Sequence, residues 1–241
     1  AIYPQKVEII NQKYKMQEQI FSDYAQKVFE KELGNRVKII NLKEIFLKHK
    51  QDKDLIYFAD EHHVTEYGNK LVVDYLSKIL KFKTIEYESR NLNIASGEFF
   101  TKSNEGWSTR IYGETFASVF GNSQAERDNN YFKPHEYKIY SLSKSYQENI
   151  EIKFDKHCNA NIDLHNKSIK NAIKVYVLGN SFVESLSKML IISVSDVYRR
   201  RINSACGRSS LISKNVIEEL KRLKASVIII PFFTRTSDEV Y

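Results

Sequence analysis

A serine that follows glycine at the end of an apolar stretch is the strongest candidate for a catalytic residue in this sequence. In VYVLGNSF, Ser181 comes two residues after Gly179, and the apolar residues before the glycine predict a strand. In a parallel sheet, such a strand ends at the edge where α/β proteins place their active sites. The N–H groups that begin the next helix point toward this edge and can hold an oxyanion. We therefore predict that Ser181 is a nucleophile, with Gly179, Asn180 and Phe182 forming the turn and oxyanion site around it.

The tripeptide Gly-Asn-Ser by itself has a second interpretation. A serine in such a turn can simply cap the helix that follows. The same three residues recur at 121–123, where Gly121 is more typical of the end of a short helix. The nucleophile hypothesis therefore needs support from another stretch of chain.

A carboxylate and two imidazoles lie at the end of another predicted strand, in YFADEHHVTEYG. In extended backbone, Asp60 and His62 project to the same side, whereas His63 projects to the other. An imidazole can take the proton of a serine hydroxyl, and a carboxylate can orient that imidazole and stabilise its charged form. We therefore predict a triad of Ser181, His62 and Asp60 at the edge shared by the two strands. The alternative is a polar loop that caps the next helix and contains the histidines by chance.

Two further groups of residues are candidates for binding. Four arginines follow the segment of Ser181, namely Arg199, Arg200, Arg201 and Arg208. We expect them to form a solvated charged face, with contact to an anionic glycan, an anionic membrane surface or an acidic partner as the alternative. Aromatic residues in the middle of the chain could stack on sugar rings or form the core of a small subdomain, and they are Trp107, Tyr112, Tyr131 and Tyr137.

The cysteines and remaining histidines predict neither a metal site nor a disulfide framework. His157, Cys158 and His165 lack a fourth ligand at a suitable spacing, so we expect no bound metal. Cys158 and Cys206 are the only cysteines, and their different settings do not suggest a disulfide framework. The redox compartment of the protein stays open on this evidence.

Composition places the chain among folded globular proteins. Of its 241 residues, 42% are hydrophobic and 28% charged, with eight glycines and three prolines, which excludes disordered, collagen-like and low-complexity proteins. The formal charge of +7 is a mild basic excess, and we expect no nucleic-acid partner in the absence of a recognised binding motif. The sequence has no apolar run of about 18 residues and does not begin with a signal peptide. We expect a soluble chain from which an anchor or export signal has been removed.

Hydrophobic periodicity indicates the elements that hold these residues. Helical spacing predicts helices over 7–33, ended by Gly34, over 43–50, over 65–82 with Thr65 as N-cap, and over 213–224. Apolar, β-branched runs predict strands at 36–42, 55–59, 172–179 and 225–233. Their alternation predicts a single domain over 1–241, built as a three-layer α/β/α sandwich with a mostly parallel sheet. The alternation stops over about 89–170, where we expect an inserted, small β-containing segment.

In the order and type of these residues, the chain resembles the SGNH-like acetyltransferases of bacterial polysaccharides, such as the periplasmic alginate O-acetyltransferases. That family has a Tyr-containing strand leading into Asp-x-His-Trp with a glycine shortly after, and later a strand leading into Gly-Asp-Ser-Phe. The matching residues here are Tyr57, Asp60, His62 and Gly68, then Gly179, Ser181 and Phe182. IYP at 2–4, GETFASVFG at 113–121 and SVIIIPFFTR at 226–235 extend the similarity over most of the chain. The chain departs from the pattern where His63 replaces the tryptophan and Asn180 replaces the aspartate.

The resemblance implies an SGNH-hydrolase-like fold and O-acetylation of an exported or cell-surface polysaccharide through an acetyl-serine. Substrate contacts are expected from His63, Tyr57, Trp107, Arg199 and Arg208. No bound cofactor is expected. An acetyl donor is required, and the implied partner is a membrane-bound acyltransferase that supplies acetyl groups. The implied location is the periplasm, or a membrane surface that faces it.

Two alternatives stay open at this point. The same triad with water as the acceptor would make a carbohydrate acetyl esterase, because the outcome depends on whether a glycan hydroxyl outcompetes water in the closed site. A decayed site would leave a non-catalytic glycan-binding module, with Asn180 and His63 as its signs. The sequence does not identify the acetyl donor, the glycan or the modified hydroxyl.

Overall fold

The computed structural model describes residues 1–4, 21–57, 63–84, 88–94, 135–141, 148–156, 158, 161–170, 172–180, 182–202 and 214–233. The proposed triad of Asp60, His62 and Ser181 lies outside the described residues, as do Trp107 and Arg208. The residues on either side of each triad member's segment are described, so the fold around the candidate site is defined.

Helices with clear sequence signals at their ends surround the sheet. Those in the described residues are α1 (Phe21–Leu33), α2 (Lys43–His49), α3 (Glu66–Leu80), α4 (Phe182–Leu190) and α5 (Lys214–Leu223). Thr65 caps α3 as predicted, because its hydroxyl oxygen accepts a hydrogen bond from the N–H of Gly68 at 3.1 Å. Gly34 follows α1 with a φ of 55°, the left-handed conformation that ends many helices. Within the described residues, we find no helix with the length and apolar character needed to cross a membrane.

A five-stranded sheet forms the centre of the fold. The described strands are β1 (Ile2–Tyr3), β2 (Glu88–Ile94), β3 (His135–Ser141), β4 (Ile150–Phe154), β5 (Ile162–Asn166), β6 (Lys174–Gly179), β7 (Asp196–Arg201), β8 (Val227–Ile229) and β9 (Phe232–Phe233). The main sheet has the order β4-β5-β7-β6-β8. β6 is parallel to β7 and β8, β5 is antiparallel to β7, and β4 is antiparallel to β5. Since the second reversal returns β4 to the common direction, every strand of this sheet except β5 runs the same way.

Two apolar layers cover the two faces of β6, because successive side chains of a strand point to opposite faces. Val175 and Val177 belong to a large core that includes the buried residues of α3 and α4. Tyr176 and Leu178 pack on the other face with Val216 and Leu223 of α5. Helices on both faces of a mostly parallel sheet make a three-layer α/β/α sandwich, which confirms the predicted fold class.

Two of the predicted strands differ from the structure. Residues 34–36 form a 3₁₀ turn, Val37 is exposed, and the segment predicted as a buried strand contributes only a bridge between Asn41 and Ile2. In the described part of 55–59, Tyr57 makes a single antiparallel bridge to Val64 in place of a parallel ladder. β-branched residues favour extended backbone, but a strand also needs a partner of matching length, and the described partners here are single residues.

The region predicted as an insertion contributes strands to two sheets. β2 pairs with β3 in a separate antiparallel sheet, whereas β4 and β5 extend the main sheet beside β7. The division of the chain into a catalytic domain and an insertion stays a prediction.

Cys158, in the turn between β4 and β5, is disulfide-bonded. The expectation that the cysteines form no disulfide framework is therefore wrong for Cys158. The only other cysteine of the sequence, Cys206, lies outside the described residues. The antiparallel register aligns Ile162 with Arg199, so the turn before β5 lies beside the chain that leaves β7. Sheet order brings these two stretches together, and spacing along the sequence does not reveal it.

Candidate active site

The turn between β6 and α4 is held by the side chain of Asn180. Its Oδ1 accepts a hydrogen bond from the N–H of Phe182 at 3.2 Å, and its carbonyl oxygen accepts one from the N–H of Val183 at 3.1 Å. Asn180 thus satisfies backbone donors that begin α4. An aspartate would offer the same oxygen acceptor, so the substitution of Asn for Asp keeps this turn and removes a negative charge.

Gly179 lies in a closely packed position at the carboxyl end of β6. A Cβ at this position would lie 3.0 Å from Cγ1 of Val183 and 3.3 Å from both Cδ and the carbonyl oxygen of Pro231. The carbonyl oxygen of Gly179 also accepts a hydrogen bond from the N–H of Ile202 at 2.7 Å, at the end of β7. The absence of a side chain lets α4 start immediately against the end of β8.

The loop that carries Asp60 and His62 has both of its ends fixed. Tyr57 and Val64 form the bridge that closes the loop, and the N–H of Thr65 donates to the carbonyl oxygen of Ile56 at 2.9 Å. A Cβ on Gly68 would lie 2.6 Å from the same carbonyl oxygen of Ile56. The first turn of α3 therefore lies directly against the residues that begin the loop, which only glycine permits.

The two segments meet through their described neighbours. The ring of His63 lies 5.1 Å from the ring of Phe182, centroid to centroid, with an interplanar angle of 30°. On its other side, Phe182 lies 5.4 Å from the ring of Tyr3. His63 directly follows His62, and Phe182 directly follows Ser181, so each contact residue is one peptide unit, about 3.8 Å, from a predicted triad member. His63 fills the position of the family's tryptophan as a buried packing residue.

Tyr57 and His63, both expected to contact substrate, are buried in the core. The hydroxyl of Tyr57 donates to the carbonyl oxygen of Pro4 at 2.7 Å, and its ring packs edge-on against Phe46. His63 is 7% exposed and packs against Phe182. The described contacts of both residues support the loop, and their contact with substrate stays a prediction.

Arg199 and Arg200 of β7 are buried and Arg201 is partly buried, in contrast to the solvated face expected from the sequence. Arg199 is 7% exposed and Arg200 is 5% exposed, because β7 is a central strand with a layer on each face. Arg200 forms ion pairs with Asp163 at 2.6 Å and with Glu219 at 2.7 Å. Buried charges of this kind need such partners to offset the loss of hydration.

Arg199 and Arg201 lie on the opposite face of β7 from Arg200, toward α4. Arg201 pairs with Glu184 of α4 at 3.0 Å, and its backbone N–H donates to Oδ1 of Asn161 at 3.0 Å. Burial lowers the pKa of Arg199 to about 10, and the negative charge of Glu184 opposes that shift. Glu184 thus compensates positive charge within one turn of Ser181. Whether Arg199 contacts substrate stays a prediction.

A second polar cluster lies at the amino end of β7. Nδ1 of His165 lies 2.9 Å from Oδ1 of Asp196, and the hydroxyl of Ser195 donates to Oδ2 of Asp196 at 2.9 Å. The carboxylate lies between the hydroxyl and the imidazole, which is the wrong order for the imidazole to take the proton of the serine. His165, considered above as a metal ligand, therefore has a carboxylate oxygen beside its Nδ1. No cluster of three potential ligands from His, Cys, Asp and Glu occurs in the described part of the chain.

Comparison with known proteins identifies the fold. No protein-family model matches the sequence, and no curated protein is significantly similar to it. Among solved structures, PatB1 of Bacillus cereus superposes with a TM-score of 0.61 at 12% identity, over 96% of this chain and 80% of that chain. The same protein with a sulfonyl adduct gives a TM-score of 0.62 at 13% identity, over 97% and 80%. A DHHW family protein from Eubacterium siraeum gives 0.57 at 12% identity, over 97% and 76%.

At these identities the similarity concerns the fold. It shows that this chain shares the fold of these proteins over nearly its whole length. The residues of the site must be argued from their own chemistry.

Sequence reasoning missed the polar contacts that join α3 to α4. Glu66 of α3 forms an ion pair with Lys188 of α4, and its Oε2 accepts a hydrogen bond from the N–H of Tyr140 in β3 at 2.7 Å. Asn69 of α3 bonds Ser185 of α4. The sequence signal for these contacts was a pair of polar residues three apart in each helix, because residues at i and i+3 share a face. The pairs are Glu66 and Asn69 in α3, and Ser185 and Lys188 in α4.

Proposed function

We propose that this protein O-acetylates an exported or cell-surface bacterial polysaccharide through an acetyl-serine intermediate on Ser181. The observation that supports this proposal best is the contact between His63 and Phe182, the residues directly after His62 and Ser181. Because these neighbouring residues touch, the backbone segments that carry the predicted base and the predicted nucleophile lie beside each other. The order of the motifs and the fold shared with PatB1 agree with the resemblance to the polysaccharide acetyltransferases.

In the proposed first half-reaction, His62 takes the proton from the hydroxyl of Ser181 as the serine oxygen attacks the carbonyl carbon of the acetyl donor. Asp60 orients the imidazole and stabilises its protonated form. The tetrahedral intermediate collapses, the bond to the donor breaks, and His62 returns the proton to the departing group. Ser181 is left as an acetyl ester.

In the proposed second half-reaction, His62 takes the proton of a sugar hydroxyl, whose oxygen attacks the acetyl-serine. The bond to Ser181 breaks, the acetyl group stays on the sugar, and the serine recovers its proton from His62. Because Asn180 engages the N–H groups of Phe182 and Val183, we assign the N–H of Ser181 itself to the oxyanion. A neutral residue at 180 avoids negative charge beside that oxyanion.

The proposed setting is the periplasm or a membrane surface facing it. The disulfide of Cys158 supports this location, because disulfides persist mainly in oxidising compartments. We propose Cys206 as its partner. The acceptor is a polysaccharide, no bound cofactor is invoked, and a membrane-bound acyltransferase would supply the acetyl groups.

The proposal is tested with a chromogenic acetyl ester, with and without candidate oligosaccharides. The wild type is expected to release the chromophore and to transfer acetyl to sugar, and its Ser181 peptide should gain about 42 Da, the mass added by acetylation, when turnover is trapped. Ser181→Ala should lower kcat by about a thousandfold or more. Ser195→Ala is the matched control, because Ser195 also lies near a carboxylate and an imidazole, and it should leave turnover unchanged.

Each alternative gives a different result in the same assay. Acetate release that no oligosaccharide redirects would identify an esterase and overturn the transferase proposal. Equal behaviour of the wild type and Ser181→Ala would identify a non-catalytic module.

A further inference from the structure

A hydrogen bond joins the two helices that follow the proposed catalytic segments. Nδ2 of Asn69 donates to Oγ of Ser185 at 3.0 Å. Asn69 is the fourth residue of α3 and Ser185 is the fourth residue of α4. We call this pair the clasp. It connects positions that are 116 residues apart in the sequence.

The clasp residue on α3 has a fixed orientation. Asn69 is 1% exposed, and the hydroxyl of Tyr3 donates to its Oδ1 at 3.3 Å. Its Nδ2 also lies 3.1 Å from the carbonyl oxygen of Thr65 and 3.3 Å from that of Val64. Burial raises the pKa of Tyr3 far above neutral, so its hydroxyl keeps the proton that it donates. A buried amide with partners on several sides is held in one rotamer.

The partners of the clasp lie close to the proposed catalytic residues along the chain. Val64, whose carbonyl oxygen Asn69 reaches, comes two residues after His62. Ser185 comes four residues after Ser181 in the sequence and lies in the first turn of α4. Tyr3, whose hydroxyl donates to Asn69, packs on Phe182, which is adjacent to Ser181 in the sequence. One amide therefore touches the supports of both the predicted base and the predicted nucleophile.

We propose that Asn69 is a positioning residue that sets the distance between His62 and Ser181 through its bond to Ser185. This inference rests on the proposed function. Apolar contacts between α3 and α4 allow small sliding movements, whereas a hydrogen bond fixes one register of the two helices. Proton transfer requires the donor and acceptor atoms to lie within about 3 Å, so a small loss of register slows the chemical step.

Ser185→Ala is the informative variant because it should fold. Alanine suits a helix interior, and Asn69 keeps the carbonyl oxygens of Val64 and Thr65 as acceptors. The matched control is Ser187→Ala on the same helix. The hydroxyl of Ser187 donates to the carbonyl oxygen of Val183 at 2.5 Å, so its bond lies within α4 and joins no other element.

The experiment measures kcat and KM for a chromogenic acetyl ester, together with the rate at which phenylmethylsulfonyl fluoride modifies Ser181. Ser185→Ala is expected to lower both kcat and the sulfonylation rate by about tenfold, with KM within about twofold of the wild type. Ser185→Thr keeps a hydroxyl and should recover most of the activity. Ser187→Ala should keep the wild-type kcat, whatever its effect on the melting temperature.

The outcomes separate the clasp from the proposed function. Equal kcat values for Ser185→Ala and Ser187→Ala, or no recovery in Ser185→Thr, would overturn the clasp while Ser181→Ala stays inactive. A wild type that neither turns over ester nor reacts at Ser181 would overturn the proposed function, and the clasp with it. A decrease in kcat that merely follows the unfolded fraction, measured by circular dichroism in the same buffer, would assign Asn69 a structural role only.

Discussion

The two ends of β7 carry polar clusters that differ in both composition and arrangement. At the amino end, Asp196 lies between Ser195 and His165, and the imidazole side chain is 48% exposed. At the carboxyl end, Arg201 and Glu184 form a less exposed pair beside the turn that leads to Ser181. The first cluster has the residue types of a triad in the wrong order, whereas the second borders the place where two glycine-dependent segments meet.

The comparison shows that residue type alone does not identify a reactive site. What distinguishes the carboxyl end is close packing: Gly68 lies against Ile56, which precedes the loop, and Gly179 lies against Pro231, which follows β8. Close packing fixes the distances on which proton transfer depends. The predictions below test this difference in decreasing order of effect.

The largest effect is expected for Gly68→Ala. The new Cβ would meet the carbonyl oxygen of Ile56 at 2.6 Å, and backbone on both sides would have to move. The free energy of unfolding, measured by urea denaturation, should fall by about 3 kcal/mol. Gly34→Ala is the control, because a Cβ there meets no atom within 4 Å, and it should cost about 1 kcal/mol through its positive φ. Equal losses at the two positions would contradict the packing argument.

The next prediction compares one carboxylate at each end. Glu184→Gln should lower the free energy of unfolding by about 2 kcal/mol, because buried Arg199 and Arg201 lose their compensating charge. Asp196→Asn should cost less than about 1 kcal/mol, because the His165 side chain beside this carboxylate is 48% exposed to solvent. Urea denaturation of both variants at neutral pH checks the order. A larger loss of unfolding free energy for Asp196→Asn than for Glu184→Gln would contradict our conclusion that the carboxylate at the carboxyl end contributes more to stability.

The smallest effect concerns the turn before Ser181. Asn180→Ala removes the oxygen that accepts from the N–H of Phe182 and should cost about 1 kcal/mol of stability. Asn180→Asp keeps that oxygen and should match the wild type within about 0.5 kcal/mol, since a carboxylate is favourable at a helix N-terminus. Thermal unfolding of the two variants distinguishes them. An equal loss of stability in both would show that the side-chain oxygen at position 180 does not stabilise the turn.

Elements with local signals could be predicted from the sequence. The hydroxyl of Thr65, the apolar face of α3 and the run before Gly179 each specify structure within a few residues, and the structure has α3 and β6 where these signals predict them. The chemistry of Ser181, His62 and Asp60 was likewise inferred from residue types and strand ends, and it stays a prediction.

Features that depend on sheet order could not be predicted. The burial of Arg199 follows from the central place of β7, which the sequence of β7 does not encode. The contact of Asn69 with Ser185 joins distant stretches of chain. The strand predicted at 36–42 failed for the same reason, because extended propensity does not supply a pairing partner.

The reversed direction of β5 affects which parts of the sheet edge near Gly179 can change by mutation. Because β5 alone runs against the other strands of the main sheet, the turn that precedes it lies at the same rim as Gly179, where Asn161 bonds the backbone of Arg201. The turn before β5 is thus a side wall of this rim, although it is not part of the β6–α4 segment that contains Ser181. Mutations in that wall can therefore change the shape of this rim while β6 and the turn that follows it stay unchanged.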